Sequence, residues 1–401
     1  MSDASQSRLY YTDAHLTMFS ATVVESLTLE GRPVVVLDRT AFYPTSGGQP
    51  HDTGLLGETP VVDVVDLEDG RVAHVLERGL EAGKTTEGRI DWPRRFDHMQ
   101  QHTGQHILSA AFEHVCGART VSFHLGSAAS TIDLASAVDA GFVAAAEDEA
   151  NRVVWEDRAV TVRFVSAEEA STLPLRKEPV RSGTLRLVDV DGFDLSACGG
   201  THVTRTGAVG VIAVAGWERF KGGTRVEFAC GGRALARFRA LRDAVAGSVQ
   251  ALSVLPNELP SAIARLQADA RAQKQHARRL LEQLVPYEAA ELAERRQPVR
   301  AGFAVVEVVA DRDVQSLKAL AAAIATRDDH VAVLVGADAP SALVVARGAA
   351  VALDARELLR DLTARFGGKG GGKPDLAQGG SLTAAPHDIT AAARAWLAER
   401  T

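Results

Sequence analysis

The stretch DHMQQHTGQHILSAAFEHVCG, residues 97–117, decides how this chain is read. It predicts a helix that opens near Asp97, a favoured N-cap with Gln100 three positions on as in a capping box, and that stops at Gly117. Residues four apart share a helical face, so His98, His102 and His106 line one side, and two of them can meet a single ion. Spacing alone does not choose the pair. Gly104 within the helix costs about 1 kcal/mol against Ala, which points to close packing near a metal held by these histidines. About a hundred residues on, CGGTH (residues 198–202) repeats the spacing with Cys198 and His202, and the segment Cys198–Val203 is expected to open a helix or tight turn. Three imidazoles and one thiolate suit Zn²⁺. A metal site needs donors gathered by folding, so the two clusters together say more than either alone. His98 and His114 are read as ordinary histidines.

Upstream, residues 1 to about 95 read as strands and turns. TMFSATVVESLTLEGRPVVVLDRT predicts a hairpin turning near Glu30-Gly31, PTSGGQPHDTGLLG (44–57) a loop, and VVDVVDLEDGRVAHVL a hairpin turning at Asp69-Gly70. Downstream, TVSFHLGSAASTIDL (120–134) predicts a hairpin and 137–156 a helix. The strand TVRFVS, a Pro-containing loop, the strand TLRLVDVDG and a hairpin turning at Gly222-Gly223 follow. From Gly231 the character changes. Residues 233–296 are helical in composition, with Leu252, Leu255, Leu259, Ile263, Leu266, Ala270, Ala277, Leu280 and Leu284 stepping by three and four and one gap near Gln273. That is a helical hairpin or coiled-coil seam, serving either a dimer or packing on its own domain. Pro256 and Pro260 break its first part. Residues 301–401 alternate strands with helices at 313–327, 354–366 and 386–400, a small α/β domain whose Gly-rich stretch GGKGGGKPDLAQGG (367–380) reads as a loop.

Bulk properties bound the answer. A length of 401 residues suggests two or three domains, and 46% apolar with 24% charged residues is ordinary for a globular chain. No apolar run reaches the roughly 18 residues that span a bilayer, and the start MSDASQSRLYYTDAH lacks a signal-peptide pattern. Three cysteines, Cys116, Cys198 and Cys230, argue against a disulfide framework and for a reducing, cytoplasmic setting. The net charge of −7 is not that of a generic nucleic-acid binder, yet residues 219–300 hold 15 Lys/Arg against 8 Asp/Glu, +7, leaving −14 elsewhere. That basic stretch can face phosphates or be a solvated helix surface.

Several chemistries are excluded. Position 103 is Thr, so the HExxH protease base is missing, and the deaminase pattern is absent. Lys373 is followed by Pro, so GGKGGGK is not a Walker loop, although two Lys among seven Gly let amides and ammonium groups approach an anion closely. SGGQPHDTG (46–54) offers a glycine-rich turn to a nucleotide or carbonyl group.

HTGQH followed by CGGTH, an upstream GGQPxDxG loop and a C-terminal GGKGGGKPDLAQGG together resemble the editing region of alanyl-tRNA synthetase, and more closely the long form of the free-standing alanyl-tRNA editing proteins, the AlaX group. The resemblance covers nearly the whole chain, with the β-rich region starting too close to Met1 for a class II aminoacylation domain. It implies an α+β architecture: a β-barrel-like N-terminal subdomain (1–95), an α+β zinc-containing editing core (96–232), a helical coiled-coil segment (233–298) and a small α/β DHHA1-like, or C-Ala, domain (299–401).

Carried over by motif, the ligands of one Zn²⁺ per chain are His102, His106, Cys198 and His202. The Gly47-Gly48-Gln49-Pro50 loop borders the substrate pocket, and SFHLG and TIDL line its floor, making His124 and Thr131 candidate contacts to the aminoacyl-adenosine and, with Gln49 and Gln105, the candidate catalytic residues. Lys369, Lys373, Gly370, Gly371 and Gln378 lie in the stretch associated with tRNA binding. Many synthetases carry Thr before the second histidine of the first motif, and here it is Gln105. The implied activity is hydrolysis of the ester in Ser-tRNA(Ala), and of Gly-tRNA(Ala), with a polar side chain at Thr131 or Gln105 selecting serine over alanine. A homodimer through residues 233–401 and no membrane partner complete the expectation. The competing reading is a nucleic-acid-binding module with a purely structural zinc, supported by four protein donors closing the site. A DHHA1-type phosphodiesterase would need an Asp-His-His cluster, and no DHH triplet occurs.

Overall fold

The structure is a computed structural model that describes residues 8–127, 129–176 and 183–400. It is mixed α+β and forms two compact units, Met1–Ser248 and Val249–Thr401. No helix among the described residues is long and apolar enough to cross a membrane.

The first unit opens with a closed six-stranded barrel built from β1 (Met18–Leu29), β2 (Arg32–Leu37), β3 (Gly54–Leu56), β4 (Thr59–Asp66), β5 (Val72–Leu76) and β6 (Thr85–Ile90), in the order β1-β2-β5-β4-β3-β6. Closure removes the exposed edges of a small sheet. The first hairpin turns where expected: Glu30 and Gly31 both have positive φ, 51° and 79°, the backbone hand that matches strand twist. Phe19, Val23, Val35, Phe42, Leu56, Val64, Leu76 and Ile90 fill the interior.

One barrel residue sets a pH dependence. His74 is fully buried, with its ring nitrogens on Thr40 Oγ1 at 2.8 Å and the Val35 carbonyl at 3.2 Å, and burial pushes its pKa down to about 4. Above pH 6.5 the ring is neutral in folded and unfolded chains alike. As pH falls from 6.5 toward 4 the unfolded chain takes a proton that the barrel refuses, so this residue's share of stability drains away by on the order of 3 kcal/mol. Denaturant unfolding measured across that window should show a shallower decline in His74→Gln than in the parent chain. Equal slopes would remove His74 from the account.

The core of the first unit is wrapped around α1 (Trp92–Cys116). The helix starts six residues earlier than expected. Asp91 is the N-cap, its side chain accepting from Arg94 N, and Pro93 sits in the first turn, where its missing N–H costs nothing. Asp97 and Gln100, read as a capping box, have tertiary partners instead: Asp97 pairs with Arg233, and Gln100 donates to the Ala208 carbonyl at 2.9 Å. The helix stops at Gly117, in the left-handed conformation, as expected. Residues 98–112 are buried on every side, which marks a central helix.

Two sheets and a second helix enclose α1. One sheet has the order β12-β13-β8-β7, from β7 (Thr120–Leu125), β8 (Ser130–Leu134), β12 (Ile212–Phe220) and β13 (Gly223–Cys230). The other is β11-β10-β9, from β9 (Val160–Ser166), β10 (Thr184–Val190) and β11 (Asp194–Ala197). Helix α2 (Ala140–Trp155) packs alongside. The Pro-containing loop expected between β9 and β10 falls partly outside the described residues. Gly104 owes its identity to the core and not to the metal cluster, since a Cβ there would stand 2.3 Å from Cys230 Sγ.

Helix α3 (Gly231–Leu252) leads into the second unit. There a six-stranded sheet, β14 (Gln297–Val299), β15 (Gly302–Val309), β16 (His330–Gly336), β17 (Ser341–Arg347), β18 (Lys369–Gly372) and β19 (Leu376–Leu382), runs in the order β14-β15-β16-β17-β19-β18, with only β15 and β16 parallel. Alternating side chains serve two cores. Val305, Leu334 and Val344 meet the end of α4 (Leu259–Glu294) and α5 (Val314–Ile324), while Val306, Val333 and Val345 meet α6 (Ala355–Phe366) and α7 (Pro386–Arg400).

The Gly-rich stretch is not a loop. Lys369 pairs with Gly380 and Gly371 with Gln378 in the β18–β19 hairpin. Glycines sit there because α6 and the neighbouring strand approach closely: a Cβ on Gly379 would stand 3.0 Å from Leu359 Cδ1, and one on Gly370 would stand 2.5 Å from the Gln378 carbonyl.

Candidate metal centre

His102, His106, Cys198 and His202, residues from two elements almost a hundred positions apart, meet with their donor atoms all within 4.8 Å of one another. His102 and His106 stand one turn apart on α1. Cys198 and His202 follow β11, where the segment 198–203 is irregular backbone bent at Gly200, not a helix. Its shape comes from Cys198 Sγ accepting from Gly200 N at 3.3 Å and from the absence of a side chain at Gly200, where a Cβ would stand 2.1 Å from the His102 ring. Cys198 Sγ lies 3.4 Å from His102 Nε2 and 3.3 Å from His202 Nε2. Tetrahedral zinc places nitrogen and sulfur ligands about 3.5 Å apart, so the donors are spaced to hold such an ion.

Each imidazole is anchored from behind. His102 Nδ1 lies 2.8 Å from Gln49 Oε1, His202 Nδ1 lies 3.1 Å from Thr103 Oγ1, and His106 Nδ1 lies 2.9 Å from Asp194 Oδ2. With Nδ1 occupied, Nε2 of every ring faces the shared centre, the orientation that outer partners impose on metal-binding histidines. Burial alone would raise the Cys198 thiol, but the His102 and His202 rings outweigh it and hold its pKa well below the usual value. Burial would also raise Asp194, yet His106 and Arg176 bring it down to about 2, so it is a carboxylate. Burial lowers His202 to about 3 and so keeps that ring neutral.

Gln49 carries a heavier load than its place in a glycine-rich loop suggested. It is fully buried, its Oε1 also accepts from Thr201 N at 3.1 Å, and its Nε2 donates to Thr201 Oγ1 at 2.8 Å. The tip that delivers it is a four-residue turn, with Ser46 and Gln49 exchanging backbone hydrogen bonds of 3.1 and 2.9 Å around Gly47 and Gly48, both at positive φ. The loop's far end is fixed by Asp52, which accepts from Tyr43 N and from buried Arg95 of α1. One carboxamide thus holds both a ring of the first cluster and the turn of the second. Gln49→Ala should weaken zinc binding by about 10- to 100-fold in competition with a chromogenic chelator. An unchanged affinity would make the contact ornamental.

The remaining candidates are distributed as follows. Gln105 is buried beside His106; its Nε2 donates to Ser109 Oγ at 2.8 Å, and its Oε1 has no partner. His124 and Thr131 face each other across β7 and β8. Their neighbours Phe123 and Ile132 pack into the core against α1, so alternation puts His124 and Thr131 on the opposite face of the sheet, away from the cluster. Lys369, Gly370, Gly371 and Gln378 line one concavity of the second unit with Val314, Gly379 and Gly380, while Lys373 lies at the hairpin turn beyond it. The sequence reading missed Asp194, Thr103 and Thr201. A signal for Asp194 existed: in DLSAC, polar Asp194 and Ser196 alternate in step with Cys198 and so share its side of the strand.

The model for the threonyl and alanyl tRNA synthetase second additional domain matches residues 185–227, that for the DHHA1 domain matches residues 301–399, and that for class II (A) tRNA synthetases matches residues 2–94. The chain is therefore of the class that joins a synthetase-type additional domain to a DHHA1 domain. It is 30% identical to the alanyl-tRNA editing protein AlaX-L of Pyrococcus horikoshii over 95% of this chain and 96% of that one, and it belongs to the alanyl-tRNA editing protein family. Alanine–tRNA ligases of Pyrococcus abyssi and Methanothrix thermoacetophila are 33% and 35% identical over 92% and 93% of the chain. The chain spans only 41% and 42% of those ligases' lengths.

Proposed function

We propose that this protein is a zinc-dependent deacylase that hydrolyses the ester of tRNA(Ala) mischarged with serine, and with glycine. The observation that carries the reading is the convergence of His102, His106, Cys198 and His202 with every imidazole anchored through Nδ1. These four residues would hold the ion, which when bound supplies a Lewis acid beside the ester carbonyl. The chain's own residues do the rest. Gln49, Thr103 and Asp194 fix the ring orientations, so Gln49 acts as a positioning residue rather than as a contact to substrate. The buried rings exclude bulk water from the cluster, which strengthens every charge interaction at it.

Selectivity is assigned to Gln105 in preference to Thr131, because Gln105 lies beside the cluster with a buried acceptor unmet. A serine hydroxyl can donate to that oxygen and the alanine methyl cannot. Gln105→Leu is expected to lower the rate on Ser-tRNA(Ala) by about 10- to 100-fold while leaving Gly-tRNA(Ala) within about threefold. A uniform loss on both substrates would reassign Gln105 to structure.

The exposed lysines 369 and 373 and the glycine strand between them are assigned to the tRNA backbone, and residues 233–401 to a homodimer. Residues 1–95, 96–232, 233–298 and 299–401 serve as barrel, zinc-containing core, coiled-coil segment and DHHA1 domain. The decisive experiment is release of serine from Ser-tRNA(Ala), run beside Ala-tRNA(Ala). The four-donor, closed count favours a second reading in which the zinc is structural and the protein only binds tRNA. Binding without turnover would select that reading.

A further inference from the structure

Arg186 is a buried cation without a carboxylate. It stands on β10, on the face that Val188 and Val190 turn toward α1, and only 8% of it is exposed. Its Nε donates to the Tyr11 carbonyl at 3.0 Å and its Nη1 to the Cys198 carbonyl at 2.7 Å, with the guanidinium 5.6 Å from the centre of the Tyr11 ring. No acidic side chain pairs with it among the described residues, and its Nη2 has no partner there. Comparable arginines of this unit are balanced: Arg8 by Asp66, Arg95 by Asp52 and Arg176 by Asp194. A charge withdrawn from water is costly unless it is paired, so a guanidinium held this way is set to receive an anion. Two further donors stand at the same edge. The amide of Gly199, an exposed residue of CGGTH, donates to nothing among the described residues. A Cβ on Gly199 would stand 3.7 Å from the Tyr11 hydroxyl, which accepts from Arg8 Nη1 at 3.4 Å and keeps its own proton to give.

We propose that Arg186, with the Gly199 amide and the Tyr11 hydroxyl, binds the phosphodiester that precedes the terminal nucleotide of the RNA substrate. The inference rests on the reading that the cluster receives the ester at the 3′ end of a charged tRNA. Guanidinium, backbone amide and phenol are all groups that bind phosphate oxygens in nucleic-acid complexes, and such contacts fix register. The register fits here. Arg186 touches the carbonyl of Cys198, whose own sulfur belongs to the cluster, so cation and cluster are one residue apart. An RNA end likewise carries its ester and its last phosphodiester on opposite sides of a single ribose. Arg186 spends only part of its fork on Tyr11 and Cys198, which leaves Nη2 and the second proton of Nη1 for phosphate oxygens. The contact reads no base, and it places the ester without regard to which amino acid is attached.

The test uses the full chain and unacylated RNA, so it reads binding and not turnover. Calorimetry is run with the trinucleotide CCA and with CCA whose last phosphodiester is replaced by an uncharged methylphosphonate. The parent chain should bind CCA about 10- to 100-fold tighter than the neutral analogue, the worth of hydrogen bonds to a charged group. Arg186→Gln should bind both trinucleotides alike, at the parent's affinity for the analogue. Tyr11→Phe keeps the ring beside Arg186 and should weaken CCA by about 3- to 10-fold while sparing the analogue. Should Arg186→Gln not fold, the analogue and Tyr11→Phe decide alone. Equal affinity of the parent chain for the two trinucleotides, no binding of CCA, a charge preference that survives Arg186→Gln, or an equal loss on both in either variant would overturn the proposal. Serine release forms no part of this readout, so failure of the deacylase reading and failure of this one are told apart.

Discussion

Cys198→Ala is expected to abolish stoichiometric zinc binding and to slow serine release from Ser-tRNA(Ala) by about a thousandfold or more. Cys198 is the one anionic donor of the four, and the neighbouring rings already hold it toward its thiolate form. Its loss leaves three imidazoles and a gap on the side where the chain turns back at Gly200. A Lewis acid is worth several kcal/mol to an acyl transfer, and each 1.36 kcal/mol is a factor of ten in rate. Metal content by elemental analysis and initial rates, read alongside a melting curve, separate loss of chemistry from loss of fold. Chelation of the parent protein should reproduce the defect, and added zinc should reverse it. A metal-free variant that turns over at the parent rate would end the zinc-dependent reading.

The largest effect on stability is expected at Arg95→Met. Arg95 and Asp52 are both completely buried; the guanidinium bonds Asp52 through Nε at 3.0 Å and also donates to the carbonyls of Ala14 and Ala41. Removing the cation strands a carboxylate in the interior, a change that costs about 3–5 kcal/mol. Urea unfolding should therefore show a lower midpoint at similar slope. Adding Asp52→Asn should recover part of the loss, since the stranded charge goes with it. The same substitution frees the loop that carries Gln49, so zinc affinity should fall although Arg95 touches no donor. Stability within about 0.5 kcal/mol of the parent would contradict the pairing.

Local pattern made much of this legible. The hairpins at Glu30-Gly31 and Asp69-Gly70, the central helix and its stop at Gly117, and the C-terminal alternation of strands and helices all follow from periodicity and turn chemistry. So did the meeting of the two HxxxH and CxxxH clusters, because four donors with matched spacing have few other reasons to occur together. What escaped was tertiary in origin. Asp97 and Gln100 looked like a cap because their partners, Arg233 and Ala208, are over a hundred residues away. The glycines of 367–380 looked like a loop because nothing local says that α6 presses against them. His124 and Thr131 were carried over from the SFHLG and TIDL stretches, but the side of the sheet they occupy depends on which neighbours the core takes.

The anchoring of His102 by Gln49 bears on how this protein is made. The barrel loop, the two-histidine helix and the cysteine turn leave the ribosome in that order, with some ninety residues between the last two. A cation captured early is gripped by two imidazoles alone and exchanges freely. It would become fixed only after Cys198 and Thr201 emerge and close over it. On the zinc reading, metal selection would be deferred to a late moment of synthesis, and a fragment that begins after the barrel would be a leaky vessel for its ion.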